Sequence, residues 1–127
     1  MSCGEKVMNY QQIPPEELKP DFGENATIRW LIKEDDGAKA AAMRYFEVRP
    51  GGKIKPHHHP WEHEIFVVKG EGRLRIGRKW YDVRAGDFIY VPPNTVHEYI
   101  NAGEESFEFI CVIPLKPTVD EDKPLEC

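Results

Sequence analysis

Residues 51–70 read Gly51-Gly52-Lys53-Ile54-Lys55-Pro56-His57-His58-His59-Pro60-Trp61-Glu62-His63-Glu64-Ile65-Phe66-Val67-Val68-Lys69-Gly70. The second half, residues 64–68, is a β-branched and aromatic run of strand length, stopped by Lys69-Gly70. Working outward, the same reading repeats. Upstream, residues 43–49 form a strand halted at Pro50-Gly51-Gly52, and residues 27–33 form another closed by Asp35-Asp36-Gly37. Residues 37–42 read as a loop or strand entry. Downstream, residues 73–76 and 80–83 flank Gly77-Arg78-Lys79 as a hairpin. Residues 88–91 end at Pro92-Pro93-Asn94, and residues 96–100 and 106–113 are separated by Asn101-Ala102-Gly103. Eleven prolines and ten glycines cut 127 residues into short pieces. The expectation is an all-β fold of about eight to ten antiparallel strands, a sandwich or barrel.

One domain accounts for this length. Residues 1–24 read as a polar, proline-rich N-terminal arm with at most one helical turn, at residues 15–18. Residues 25–114 form the barrel, and residues 115–127 an acidic tail expected to be mobile. Lys and Arg number 17 against 22 Asp and Glu, a net charge of −5. That balance argues against a phosphate-tracking face and hence against a nucleic-acid partner. Apolar runs of strand length are too short for a membrane span. The first ten residues hold no apolar leader core. Three cysteines, Cys3, Cys111 and Cys127, do not make a disulfide scaffold, so the expected compartment is the cytoplasm.

The chain has five histidines, and four of them fall within residues 57–63; the fifth is His97. Neutral imidazole offers a nitrogen lone pair near neutral pH, which makes it the commonest side-chain metal ligand. In extended chain His57 and His59 share a side, His63 returns to it, and His58 points away. A weakly binding surface histidine loop is the competing reading of the triplet alone.

The spacing resembles that of the cupins, small antiparallel jelly-roll barrels. Their first motif runs glycine, five residues, His-x-His, three or four residues, Glu, six residues, glycine. Here Gly51 is followed by five residues, His57-x-His59, three residues, His63, six residues and Gly70. His63 stands where the family usually has Glu. The second motif runs glycine, five residues, Pro-x-Gly, two residues, His, three residues, Asn. Here it reads Gly86, five residues, Pro92-x-Asn94, two residues, His97, three residues, Asn101. Asn94 replaces a glycine, and Asn tolerates positive φ better than most residues. The resemblance implies a single-domain jelly roll and one divalent ion held by His57, His59, His63 and His97. Four neutral ligands leave the full 2+ charge, which favours anionic or chelating molecules, and leave coordination positions open. Mn or Fe is expected, with Zn, Ni or Cu as further candidates.

Strand alternation drafts the rest of the pocket. Tyr99 shares the inward face of His97, as barrel filler or as a proton donor to substrate. Ile65 and Val67 follow His63 inward, and Phe107, Phe109, Cys111 and Ile113 share one face. Cys111 is either a small buried hydrophobe or a cavity thiol. Arg44 either faces solvent or turns inward to bind a carboxylate. Tyr99, Arg44 and Cys111 are therefore the candidate catalytic residues, with Glu62 and Glu64 flanking His63. The reading is a metal-dependent enzyme on a small organic molecule, dioxygenase-like. The alternatives are a metal-dependent isomerase or decarboxylase, and a non-catalytic binding module. A homodimer is expected, with the arm covering a neighbour's edge strand.

Overall fold

The structure is a computed structural model that describes residues 4–116. Its strands are β1 (Glu16–Glu17), β2 (Gly23–Ile32), β3 (Ala41–His57), β4 (His63–Lys69), β5 (Glu71–Ile76), β6 (Lys79–Arg84), β7 (Phe88–Val91), β8 (His97–Ile100) and β9 (Phe107–Pro114). The helical elements among the described residues are two 3₁₀ turns, Tyr10–Gln12 and Glu34–Asp36. No helix is long and apolar enough to cross a membrane. The pairings are antiparallel, in the order β6-β5-β8-β3-β9-β4-β7, with β2 added to β3 and β1 to β2.

β3 makes the curl. Its first half pairs with β9, from Ala41↔Pro114 to Val48↔Phe107, and its second half pairs with β8, ending at His57↔His97. One strand thus passes between two sheets, and the assembly closes on itself as the expected all-β jelly roll. Pro50 does not end this strand, contrary to the sequence reading. The β2–β3 register breaks between Glu24↔Lys53 and Ala26↔Val48, so residues 49–52 bulge opposite Asn25. A bulge needs no ladder N–H from proline, and Gly51 and Asn25 supply its positive φ angles of 79° and 52°.

The arm also differs from expectation. The helical turn lies at Tyr10–Gln12, capped by the Asn9 side chain on the Gln11 N–H, and not at residues 15–18. Residues that precede proline are driven out of the helical region. Ile13-Pro14-Pro15 and Lys19-Pro20 therefore leave too few residues between them for a turn. Glu16 and Glu17 run extended instead and pair with Ile28 and Thr27 of the same chain. The described arm therefore covers its own β2. Residues 117–127 of the expected acidic tail lie outside the described residues, as do Cys3 and Cys127.

Alternate residues of each strand fill the interior: Val48 and Ile54 on β3, Ile65 and Val67 on β4, Leu74 on β5, and Phe107 and Phe109 on β9 are all buried. Packing is tight where β4 turns into β5. Gly70 has a φ of 73°, and a Cβ there would overlap the Ser106 carbonyl; a Cβ on Gly72 would enter the Phe107 ring. Asn101 ties the loops at this end. It is fully buried, donates through Nδ2 to the Val48 and Glu105 carbonyls, and accepts from the Gly103 N–H. Gly72→Ala is expected to destabilise by about 2–3 kcal/mol, a fall in Tm of about 10 °C. Differential scanning calorimetry checks this, and an unchanged Tm would refute the packing argument.

Candidate metal centre

His57 ends β3, His63 opens β4 and His97 opens β8 opposite His57, while His59 sits in the loop between β3 and β4. Two sheets and a loop thus bring four imidazoles to one end of the barrel. Ring centroids lie 4.3 Å apart for His57 and His97, 4.5 Å for His59 and His63, and 4.9 Å for His63 and His97. The widest pair, His57 and His63, is 6.5 Å apart. Ligand nitrogens of His57, His59 and His97 all lie within 4.8 Å of one another. His58 is exposed, as parity required.

Backbone carbonyls set the tautomers. Nδ1 of His57 lies 2.7 Å from the Lys55 carbonyl, that of His59 3.1 Å from the Trp61 carbonyl, and that of His97 2.8 Å from the Thr95 carbonyl. A carbonyl only accepts, so each Nδ1 carries the proton and each Nε2 presents a lone pair. Nε2 of His97 is buried and has no hydrogen-bond partner. Burying such an atom unpaired is costly, and a cation among the three lone pairs satisfies it. The cluster therefore fits a divalent metal ion.

His63 joins the cluster differently. Its Nε2 lies 2.8 Å from Nε2 of His59, and its Nδ1 lies 3.0 Å from Sγ of Cys111. The sulfur also accepts from Nη2 of Arg44 at 3.1 Å. Cys111 is therefore both buried and part of the centre, behind His63, and Arg44 turns inward. The guanidinium of Arg44 lies 5.0 Å from the Phe46 ring and 5.6 Å from Trp30, with its Nε buried and unpartnered.

Burial keeps the imidazoles neutral. Desolvation pushes His59 down to about 4, with the neighbouring His57 adding to it, and pushes His97 down to about 3 against the hydrogen bond to Thr95. His57 is lowered for the same reason, and His63 furthest, by burial and then by the charge on Arg44. Burial pushes the Cys111 thiol up to about 11, with Arg44 opposing, and raises Tyr99 well above the usual phenol value. Tyr99 keeps its proton. Glu64, exposed and beside Glu62, is raised to about 7 by desolvation and by that neighbour.

The imidazoles of His57, His59 and His63 line a cavity of about 440 Å³. Tyr99, Phe46, Trp30, Ile28 and Ile54 form its walls, with Arg44 among them and Trp61 near the loop. The arm closes the remaining side through Leu18, Phe22 and the backbone around Glu16–Glu17. Arg49 clamps Glu17 at 2.7 Å, and Leu18 N–H donates to the Ala26 carbonyl at 2.9 Å. Sequence reasoning missed this use of the arm and the aromatic walls. The signals were Leu18 and Phe22 in an otherwise polar segment, and Trp30 and Phe46 at inward-facing parity.

The family profile described as Cupin domain matches residues 44–113. The chain belongs to the cupin family. Among solved structures, this cupin superposes on the polyketide cyclase RemF of Streptomyces resistomycificus with a TM-score of 0.82 and 28% identity, over 96% of this chain and 87% of that one. It is 29% identical over 113 residues to an oxalate-binding protein of Thermotoga maritima, 86% of this chain and 93% of that protein. It is also 30% identical over 82 residues to the 1-methylthio-D-xylulose 5-phosphate methylsulfurylase of Rhodospirillum rubrum. That match covers 65% of this cupin and half the length of the methylsulfurylase.

Proposed function

We propose that this cupin is a metal-dependent enzyme acting on a planar, oxygen-bearing anionic molecule, of the 1,3-dicarbonyl or polyketide-like class, by enolisation and ring closure rather than by oxygenation. The observation that carries the reading is the cavity itself: imidazoles at one end, aromatic faces along the sides, and one inward cation. The likeness to a polyketide cyclase supports it, whereas the relatives described above do not single out the dioxygenase expected from sequence. His57, His59 and His97 would hold the ion, with His63 as the fourth ligand. Mn, Fe or Zn would each serve as the divalent ion. Bound there, it supplies Lewis-acid polarisation of a substrate oxygen.

The chain's own groups do the remaining work. Trp30, Phe46 and Trp61 offer flat faces for a planar substrate. Arg44 sets a fixed positive charge beside the cavity, favouring the enolate form of a dicarbonyl over the ketone. Tyr99, held protonated, donates to an oxygen developing negative charge. Leu18 and Phe22 of the arm shield the reacting centre from water. Neutral imidazoles add no charge of their own, so an anionic substrate meets only attraction.

Incubation of metal-loaded protein with an aromatic 1,3-dicarbonyl acid, in air and under argon, tests this. Equal turnover to a cyclised or isomerised product in both is the expected result. Turnover lost under argon would restore the dioxygenase reading, and substrate returned unchanged in both would leave a binding module.

A further inference from the structure

A sheet with one wet face alternates apolar-in with polar-out. The sheet through β2, β3, β9, β4 and β7 does not. On β4 the inward residues are His63, Ile65 and Val67, and Glu64, Phe66 and Val68 point out. Paired residues share a face, so Phe66 stands beside Phe88 of β7 and Ile110 of β9, and Glu64 beside Tyr90 and Val112. At the β2–β3 end the chain covers this outer face itself. Tyr10 stacks on Tyr45 with centroids 4.4 Å apart, Arg29 lies over Tyr10, and Tyr45 donates to Glu108 at 2.6 Å beneath. Tyr45 and Glu108 are buried as a result. At the β9–β4–β7 end no described residue provides such a cover: Phe66 is 50% exposed, Phe88 82% and Tyr90 51%.

We propose that this uncovered part of the outer face is where a second copy of the chain docks, face to face about a two-fold axis. A two-fold contact sets the same residues against themselves, which suits an apolar patch and penalises a charged one. Across the outward positions of β9, β4 and β7 the only charge is Glu64. The area also fits. Aromatic side chains offer about 150–250 Å² each, so the exposed parts of Phe66, Phe88 and Tyr90 supply about 350 Å². Val68, Ile110 and Val112 raise the apolar total to about 450 Å². A standard interface buries about 800 Å² per partner, a little over half of it apolar, which is the same amount. The contact thus lies on a sheet face, not on the strand edges and arm that the sequence suggested. Because the inward residues of β4 and β9 include His63 and Cys111, the docked copy braces the back of the metal centre.

Light scattering on the full chain at micromolar concentration tests the surface, with Phe88→Glu and Phe88→Ala beside the wild type. Phe88 is 82% exposed, so neither change opens a cavity. The expected result is a wild-type dimer, a monomer for Phe88→Glu, and about a tenfold weaker dimer for Phe88→Ala. Metal uptake and circular dichroism, unchanged in both variants, establish that the fold is intact. A monomeric wild type, or a dimer whose dissociation constant moves in neither variant, would overturn the proposal.

Discussion

Replacing His97 by alanine is expected to lower metal affinity about a hundredfold. His97 Nε2 is the buried lone pair with no protein partner, and its carbonyl-bound Nδ1 already fixes its direction. Structural zinc sites are worth about 10–16 kcal/mol over four ligands, so one ligand accounts for about 3 kcal/mol, or two orders of magnitude. His63→Ala should lose a similar amount if it is the fourth ligand, and His58→Ala should lose nothing, because that ring is exposed. Cys111→Ala keeps every ligand but removes the group that orients His63, and should cost about tenfold. Competition titration against a chelating dye, with elemental analysis of the purified variants, reads all four. Equal loss in His58→Ala and His97→Ala would mean that the four rings do not form one site.

The same burial gives the metal-free protein a defined acid response. Unfolded imidazoles take up protons near their ordinary value of 6.5, while in the folded chain His59 does so only near about 4 and His97 near about 3. Between these limits the unfolded state binds more protons, so stability is full above 6.5 and falls as the pH drops towards 3. Protons also compete with the metal for the same lone pairs, and metal release runs in the same direction. Urea unfolding of chelator-treated protein at pH 7.5 and pH 5 should show the lower midpoint at pH 5. An unchanged midpoint would place the four rings in water.

Most of the strands were legible because alternation and glycine–proline punctuation act locally. The histidine parity was legible for the same reason: a period of two fixes which of His57, His58 and His59 share a side before any tertiary contact forms. Asn94 was read as tolerating a positive φ, and it adopts 57°. What the sequence hid was set by distant partners. Pro50 looked like a terminus because a bulge is defined by the opposing strand, here Asn25 on β2. Glu16 and Glu17 looked like part of a solvated arm because their pairing depends on where the edge of β2 lies. The direction of Arg44 was undecidable by pattern, since either face of β3 accepts an arginine until Cys111, Phe46 and Trp30 are placed around it.

That arginine supplies the second large effect. Its guanidinium is held between aromatic faces and a thiol, and no carboxylate pairs with it among the described residues. A partly buried cation without a counter-ion costs stability, and it persists where an incoming anion completes it. Arg44→Met should therefore raise the thermal stability of the ligand-free protein while weakening anionic ligands about a hundredfold. Calorimetric titration of the metal-loaded protein with oxalate and with a 1,3-diketonate, beside a melting curve of each form, separates the two effects. Arg44→Lys keeps the charge but loses the planar stacking on Trp30 and Phe46, and should fall between wild type and Arg44→Met. A less stable Arg44→Met that still binds both anions as the wild type does would reduce Arg44 to a packing element of the barrel wall. The opposite pattern, higher stability bought with lost affinity, is what a residue held in reserve for substrate predicts.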